Sequence, residues 1–262
     1  MKRKTAYRGK NLSLAFGFCV VIFIILFFYF AWKVYKVISQ SRFNGHEYIV
    51  SVKENSTTQD LISFLPDAGA INVVTIHNIP QDQNISAVAE VPVDATIIGV
   101  QINSVPSFIN KEVFTFGKNG LPFVDAIKLW FFTHSLSNDA ITLQNLSYPV
   151  SQDQLDNTIP RLFTDKVLYQ DAQTIAVVNA SGVSGAGGRV AKFLTNIGAN
   201  VIIVNTADNL QDTSTIEYTG DNSYTVKKME KIMKVIAKQS NNKIAVANIM
   251  ITLGKDKAGE FN

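Results

Sequence analysis

The sequence predicts a mixed α/β protein, with an N-terminal transmembrane helix followed by two α/β domains, the second built on a parallel β-α-β unit. Three observations lead to this fold class. Residues 12–32 form an uncharged apolar run, and residues 46–143 alternate short strand-like segments with turn residues. Residues 174–204 then read as an apolar strand, a glycine-rich loop, an amphipathic helix and a second apolar strand.

The apolar run from Leu12 to Trp32 has 21 residues without a charge, and fourteen of them are Leu, Ile, Val or Phe. At about 1.5 Å of rise per residue it makes a helix roughly 31 Å long, which matches the hydrocarbon core of a bilayer. Phe23 lies near its middle, and the Trp32 ring suits the membrane interface. We therefore predict a membrane anchor that includes Leu12, Phe23 and Trp32.

The charges on either side of this run predict its orientation. The first 42 residues carry eight Lys or Arg and no acid, and five of these bases precede the run. The positive-inside rule makes residues 1–11 a cytoplasmic tail, residues 33–45 a stalk that continues the helix for a turn or two, and the remainder extracytoplasmic. A cleaved signal peptide is the alternative, but its apolar region spans only about 7–15 residues and ends at a small-x-small site.

The exported part differs in charge from the whole chain. The chain carries +3, of which +8 lies in the first 42 residues, so the remainder carries −5. A mildly acidic body lacks the basic footprint of a nucleic-acid-binding protein, so we predict no nucleic-acid partner. The only cysteine, Cys19, lies in the apolar run, so the body has no disulfide.

Local patterns in the middle region predict short elements joined by turns. The expected strands are residues 46–52, 71–76, 86–91, 96–102 and 140–143. The turn-rich residues 78–84 predict a hairpin, and residues 59–65 are predicted as a short helix ended by Pro66. Further helices are expected at 122–133, behind a proline, and from a capping box at Ser151 towards residue 163.

Residues 166–173 are the predicted domain boundary, and the pattern beyond them is sharper. Strands are predicted at 174–179 and 201–204 with a helix at 189–196 between them, ended by Gly198. Such a unit is expected to be parallel. A helix over residues 225–238 and a last strand over 247–253 follow.

The loop from residue 179 to 188 is the candidate ligand site, because it follows a strand and opens a helix where backbone N–H groups converge. Its glycines at 182, 185, 187 and 188 match neither GxGxxG nor a Walker loop. Two interpretations stay open: a tight turn with close helix–sheet packing, or a site for an anion or polar ligand. The candidate residues are Asn179, Ser181, Gly182, Ser184, Gly185 and Gly188, with Asp256 expected on the same rim.

Nucleophilic and metal-dependent chemistry find little support in the sequence. Residues 182–186 approach a nucleophile elbow, but the fifth position is alanine. All three histidines, His46, His77 and His134, precede Ser184, so the hydrolase order of serine, acid and histidine cannot be met. The histidines also lack zinc-ligand spacing. We predict no catalytic residue, no metal and no cofactor.

One predicted helix is basic on its polar side. The lysines concerned are Lys227, Lys228, Lys231, Lys234 and Lys238. A solvated helix face and a contact with an anionic envelope polymer both remain open as interpretations.

Three segments carry a resemblance to a known family. They are IAVVNASGVSGAGGRVAKFLTNIGANV from residue 175, TIEY from residue 215 and LGKD from residue 253. With them, residues 172–256 resemble the LytR C-terminal domain, although Gly187 stands where that family usually has a small residue such as alanine. The resemblance implies a bacterial envelope protein and leaves its chemistry undefined.

Residues 72–94 are similar, more faintly, to the strand–turn–strand segment of the LytR-CpsA-Psr catalytic domain. That family transfers lipid-linked anionic glycopolymers to peptidoglycan with clustered arginines and Mg²⁺-binding acids. Its Ile-Pro-Arg-Asp ending is Val-Pro-Val-Asp here, with Val93 in place of the arginine. Beyond Arg42 only Arg161 and Arg189 remain, so residues 43–165 are expected to be a degenerate, inactive domain.

Together these inferences predict a single-pass protein of the bacterial cytoplasmic membrane with its N-terminus inside. Its extracytoplasmic domains, residues 43–165 and 172–256 with a tail at 257–262, form a non-catalytic module that binds or organises cell-wall glycopolymer or envelope proteins. The alternatives are a diverged LytR-CpsA-Psr-type phosphotransferase and a pure protein-interaction scaffold. The expected partners are the membrane and these envelope components.

Overall fold

The computed structural model describes residues 6–54, 57–102, 104–116, 118–240 and 246–261, with only the backbone described for residues 6–14 and 138. Much of the predicted basic tail thus lies outside the described residues. Within them, one long helix leads into two five-stranded sheets flanked by helices. Both sheets contain parallel strand pairs, so the predicted mixed α/β class is confirmed.

Helix α1 (Ala6–Ser39) has 34 residues and contains the predicted apolar run. Its segment Ala15–Ser39 is long and apolar enough to cross a membrane. The side chains of Phe23 and Trp32 are exposed, and that of Leu12 lies outside the described part. The expected continuation of the helix into the stalk is confirmed as far as Ser39.

The first sheet lies in the middle region. Its strands are β1 (Tyr48–Lys53), β2 (Gln59–Leu65), β3 (Ala70–His77), β4 (Ala95–Ile98) and β5 (Ile141–Ser147), in the order β4-β1-β2-β3-β5. The three central strands are antiparallel, and the outer two pair in parallel. The helices of this region are α2 (Ile85–Ala89), α3 (Val105–Phe114) and α4 (Phe123–Ser135). Apolar residues of α3 and α4 cover one face of this sheet.

The second sheet occupies the C-terminal region. Its strands are β6 (Thr174–Asn179), β7 (Asn200–Thr206), β8 (Thr215–Tyr218), β9 (Ala237–Gln239) and β10 (Ile249–Leu253), in the order β7-β6-β10-β8-β9. The helices are α5 (Gln152–Phe163), α6 (Lys166–Asp171), α7 (Ala186–Asn196), α8 (Tyr224–Met233) and α9 (Lys255–Ala258). Strand β6 pairs in parallel with β7 across α7, which confirms the predicted β-α-β unit. The capping box at Ser151 is also present.

Residues 59–65 were predicted as a helix and form the central strand β2, so that prediction is wrong. All seven side chains of β2 are buried between β1 and β3. Two of its three polar residues find partners only in the folded chain: Gln59 Oε1 accepts from Ile85 N at 3.0 Å, and Asp60 accepts from Thr75. Tertiary hydrogen bonds therefore make polar residues acceptable in a buried strand.

Three other element predictions need correction. Residues 86–91 do not form a strand or a hairpin; Asn84 caps the short helix α2 by accepting from Ser86 N at 3.1 Å. The helix expected to reach residue 238 ends at Met233, because Lys234 adopts a left-handed backbone with φ of 53°. Strand β4 stops at Ile98, and α3 was not predicted.

The two sheets are joined by one hydrophobic cluster. It contains Ile49 and Leu61 from the first sheet, Val177 and Ile251 from the second, and apolar residues of α5, α7 and α8. Helix α6 lies within the predicted boundary at residues 166–173. Residues on both sides of that boundary thus pack into a shared core, and the division into two domains stays a prediction.

A buried ion cluster also joins the two halves of the body, by which we mean the part with the first sheet and the part with the second. The Lys228 ammonium of α8 lies 2.9 Å from Glu47 Oε2, just before β1, and 3.1 Å from Asp165 Oδ2, at the start of α6. All three side chains are at least 95% buried. Tyr224 donates to the same Asp165 oxygen at 2.6 Å. Burying an ammonium is costly unless such partners surround it, so this cluster fixes the halves relative to each other.

Burial has opposite consequences for the acid and the base of this cluster. Burial raises the pKa of Glu47 to about 7, although Lys228 opposes the shift. Burial lowers the pKa of Lys228, but Glu47 and Asp165 together outweigh it and raise that pKa above its ordinary value. Lys228 therefore stays charged at neutral pH, while Glu47 exchanges its proton there.

Replacing Lys228 by methionine tests this cluster. We expect Lys228→Met to lower the free energy of unfolding by about 3–5 kcal/mol, because two buried acids lose their counter-ion. Chemical denaturation of the full chain in detergent, followed by circular dichroism, measures the loss. The exposed neighbour Lys227 supplies the control, since Lys227→Met leaves the cluster intact. Equal effects of the two substitutions would contradict the assigned role.

The pKa of Glu47 predicts a pH dependence of stability. Between its ordinary value of 4.5 and about 7, the folded chain holds the Glu47 proton and the unfolded chain releases it. The Glu47 contribution to the unfolding free energy therefore falls as pH rises through this window, by roughly 3 kcal/mol in total. Denaturation at a series of pH values should show a steeper fall for wild type than for Glu47→Gln. Parallel curves would exclude Glu47 as the titrating group.

Candidate functional site

The candidate loop begins where β6 ends, and its polar side chains bind one another. Asn179 Nδ2 donates to Val183 O at 2.8 Å, and Asn179 Oδ1 accepts from the backbone N and Oγ of Ser181 at 3.2 and 2.6 Å. Ser181 Oγ in turn accepts from Val183 N at 3.1 Å. Asn179 and Ser181 are buried. Their side chains thus shape the loop from the inside.

Three of the four glycines in the loop occupy constrained positions, and the fourth does not. Gly182 and Gly185 have φ of 78° and 75°, a left-handed conformation that favours glycine, and Gly185 caps α7 without a side-chain hydrogen bond. Gly187 is buried, and a Cβ there would lie 3.0 Å from Asn179 Cβ. Gly188 faces open space. Gly182, Gly185 and Gly187 fit the interpretation as a tight turn with close packing.

The surface that the loop leaves to a ligand is formed by Gly182, Val183, Ser184, Gly185 and Gly188, which are exposed. Arg189 lies beside it: its Nε donates to Phe261 O at 2.9 Å and its guanidinium reaches Ser184 O at 3.5 Å. The C-terminal turn is thereby held against the start of α7. A ligand-binding role for this surface stays a prediction.

Asp256 lies in the first turn of α9, at the same sheet edge as the loop. Strands β6 and β10 are parallel and end together, and Ala180 N donates to Leu253 O at 2.9 Å. The Asp256 carboxylate accepts from the N and Oγ of Ser214 at 2.9 and 2.7 Å. Asp256 therefore shapes the neighbouring connection, and its role towards a ligand stays untested.

The histidines are bound in separate places. His46 Nδ1 lies 2.8 Å from Asp67 Oδ2, and its ring meets the Tyr224 ring edge-on at 4.9 Å. His134 Nδ1 lies 2.9 Å from Trp130 O on α4, and His77 ends β3. In the described part of the chain, no group of three or more His, Cys, Asp or Glu is placed to hold a metal ion.

A cleft that the sequence did not predict opens between the two halves. It has a volume of about 720 Å³ and draws its lining from five separate segments. The lining comprises Ser41, Arg42, Ser86, Pro92, Val93, Asp94, Phe193, Lys231, Ile232, Lys234, Glu260 and Phe261. We call it the junction cleft. It combines the segment after α1, the residues after α2 and the basic face of α8.

The charges of the junction cleft are partly paired. Lys231 Nζ lies 2.6 Å from Asp94 Oδ1, and Arg42 donates to Asp94 O at 2.7 Å. Lys234 Nζ lies 3.4 Å from Glu260 Oε2, and its side chain is 70% exposed. Three cations thus face two carboxylates beside apolar side chains. Such a cleft can accept an anionic or hydroxyl-rich ligand, with Lys234 as its most accessible cation.

A second buried acid holds the segment that follows α1. Asp125 of α4 accepts from Ser41 Oγ at 2.5 Å, Arg42 N at 2.8 Å and Phe43 N at 3.2 Å. It also accepts from Tyr48 OH at 3.1 Å and is fully buried. We call this arrangement the Asp125 clamp. It ties the end of α1 to the body and places Arg42 at the cleft.

Only some of these residues carry a signal in the sequence. Lys231 and Lys234 were recognised as part of a basic face, and Arg42 only as a charge beside the membrane. Asp125 has no local signal beyond its position in the first turn of a helix. Its partners lie more than 75 residues away in the sequence.

Comparison with known families supports one part of the chain. Residues 172–256 match the family LytR_C, described as LytR cell envelope-related transcriptional attenuator. This range contains the whole second sheet, the candidate loop and the two lysines of the junction cleft. No curated protein and no solved structure matches the chain. The expected likeness of the middle region to LytR-CpsA-Psr domains stays a prediction.

Removing the Asn179 side chain tests whether it shapes the candidate loop. We expect Asn179→Ala to lower the unfolding free energy by about 2–3 kcal/mol, because the buried N and Oγ of Ser181 and the part-buried Val183 O lose their hydrogen-bond partner. Amide hydrogen exchange of residues 180–185 should accelerate as well. Ser184→Ala, on the exposed surface of the same loop, serves as the control and should change neither quantity. Unchanged exchange in Asn179→Ala would contradict this role.

Proposed function

We propose that this chain is a single-pass protein of the bacterial cytoplasmic membrane whose extracytoplasmic body binds anionic cell-envelope polymer without catalysing a reaction. Three findings support the proposal: the apolar helix, the family match to a cell envelope-related domain, and the basic junction cleft. The flanking charges favour a cytoplasmic N-terminus.

The observation that carries the proposal is the position of the junction cleft. Arg42 lies three residues after the end of α1, a distance of roughly 10 Å at full extension. Arg42 therefore lines the cleft close to the point where the chain leaves the membrane. Lys231 and Lys234 line it from within the family-matched region. One site thus combines the membrane anchor, the middle region and the envelope-related domain.

The composition of the cleft favours a polymer ligand. Its exposed cations, Arg42 and Lys234, suit phosphate or carboxylate groups. The half-buried Pro92, Val93 and Ile232 form an apolar wall that suits the faces of sugar rings. We place the binding site here, with the exposed part of the candidate loop as a second candidate.

The enzyme alternative requires clustered cations and metal-binding acids around a pyrophosphate. Arg42, Arg161 and Arg189 lie on three different elements: the segment after α1, helix α5 and helix α7. Arg189 already contacts Phe261 O, and Val93 occupies the place of the expected arginine. These positions support a binding role over phosphotransfer.

Co-sedimentation of the detergent-solubilised full chain with isolated cell walls tests the site. We expect Lys234→Asn to weaken binding about fivefold, the equivalent of one charge-assisted contact of about 1 kcal/mol. Asparagine tolerates the left-handed backbone at this position, so the fold should persist. Lys238→Asn removes the same charge from exposed strand β9 and serves as the control.

The remaining arms distinguish the alternatives. Gly188→Val adds a side chain to the exposed surface of the candidate loop, where the fold has room for it. Loss of cell-wall binding in this variant alone would place the binding site at the loop and not in the cleft. Walls stripped of anionic polymer should no longer retain the wild-type chain. Absence of wild-type binding would leave a pure protein scaffold, and Mg²⁺-dependent turnover of a polyprenyl-pyrophosphate substrate would establish the enzyme alternative.

A further inference from the structure

An apolar groove runs between α1 and the connection from α3 to α4. Its volume is about 630 Å³. Helix α1 contributes Phe30, Lys33, Val34, Val37, Ile38 and, just beyond its end, Gln40, while the body contributes Phe116, Pro122, Phe123 and Val124. Lys33 is the only charged residue of this lining. From Phe30 to Ile38 the groove follows α1 for about 12 Å, at 1.5 Å per residue.

This stretch begins at Phe30, inside the predicted anchor of residues 12–32, and continues into the predicted stalk, and all of it lies within Ala15–Ser39, the segment long and apolar enough to cross a membrane. Phe116 and Phe123 therefore lie beside the C-terminal end of that apolar segment. The Asp125 clamp keeps them there, because it binds residues 41–43 from a position two residues after Phe123.

The apolar surface continues beyond the groove. Phe114 is 80% exposed and Phe116 is 70% exposed, at the end of α3 and in the following turn. A second, smaller depression of about 280 Å³ is lined by Val113, Phe114, Ile127, Trp130 and Phe131. Exposed aromatic patches of this kind mark interaction surfaces.

Phe116 combines an exposed side chain with an unusual backbone conformation. Phe116 has φ of 53°, which is uncommon for a bulky residue. Gly120 lies against β4, where an added Cβ would collide with Thr96 O. Lys111 and Lys118 flank the patch and are exposed. Aromatic tips with a lysine rim are typical of segments that rest in the membrane interface.

We infer that Phe114, Phe116 and Phe123 enter the leaflet next to the C-terminal end of α1, so that the body contacts the bilayer at a second place. The inference rests on the proposed membrane span. Lipid is the occupant because the groove is continuous with the lipid-facing surface of α1, and acyl chains around α1 reach it directly. The lysines at the rim suit anionic headgroups.

Site-directed spin labels in nanodiscs of phosphatidylethanolamine and phosphatidylglycerol, with one full-length chain each, test this inference. Native Cys19 reports on the span itself. In a Cys19→Ser background, Phe114→Cys and Phe116→Cys report on the patch. Ile98→Cys is the matched control, since Ile98 is 71% exposed and ends β4 beside Lys53, at the opposite end of β1 from the clamp.

We expect labels at 19, 114 and 116 to be severalfold more accessible to oxygen, relative to a water-soluble nickel chelate, than the label at 98. The inference is overturned if the labels at 114 and 116 have the same relative oxygen accessibility as the label at 98 while the label at Cys19 is buried in lipid. That result would leave the proposed anchor intact. A label at Cys19 that is exposed to water would refute the proposal that α1 spans the membrane. Spin–spin broadening in crowded vesicles, lost at one chain per nanodisc, would assign the groove to a second copy.

Neither result depends on cell-wall binding, so failure of the proposed polymer site is distinguishable from failure of this membrane contact.

Discussion

The relative position of the two halves depends on one buried ammonium. Lys228 of the family-matched region lies between Glu47 and Asp165, away from water, where its charge is tolerable only beside these two acids. The same acid, Asp165, accepts from the backbone of Val167 and Leu168 at the start of α6. Asp165 thus caps a helix, pairs with a buried ammonium and helps to hold the two sheets together. The junction cleft owes its fixed walls to this cluster.

Asp125 plays the corresponding part between the apolar helix α1 and the body. It takes four hydrogen bonds, three of them from the segment that leaves α1, and Lys128 adds a bond to Phe43 O at 2.8 Å. In many single-pass proteins such a segment is a loose linker, but here its backbone donors are consumed by the body. The helix, the first sheet and the second sheet therefore behave as connected parts of one framework.

Local sequence patterns predicted the elements whose periodicity is strong, above all β6, α7 and β7, where burial and chain order agree. They failed for β2, because Gln59 and Asp60 look solvent-facing until Ile85 and Thr75 supply their partners. Local patterns could not predict the junction cleft for a related reason. Arg42, Asp94 and Lys231 are far apart in sequence and meet only through the folded core, whereas the candidate loop is a single contiguous stretch.

The clamp around residues 41–43 has a consequence for where the protein operates. In the proposed membrane topology, a body of 220 residues with a radius of gyration of about 17 Å and no slack in its tether stays within the first few tens of ångströms above the lipid. The proposed polymer ligand then meets the body only within that layer, where newly exported or lipid-carried chains pass.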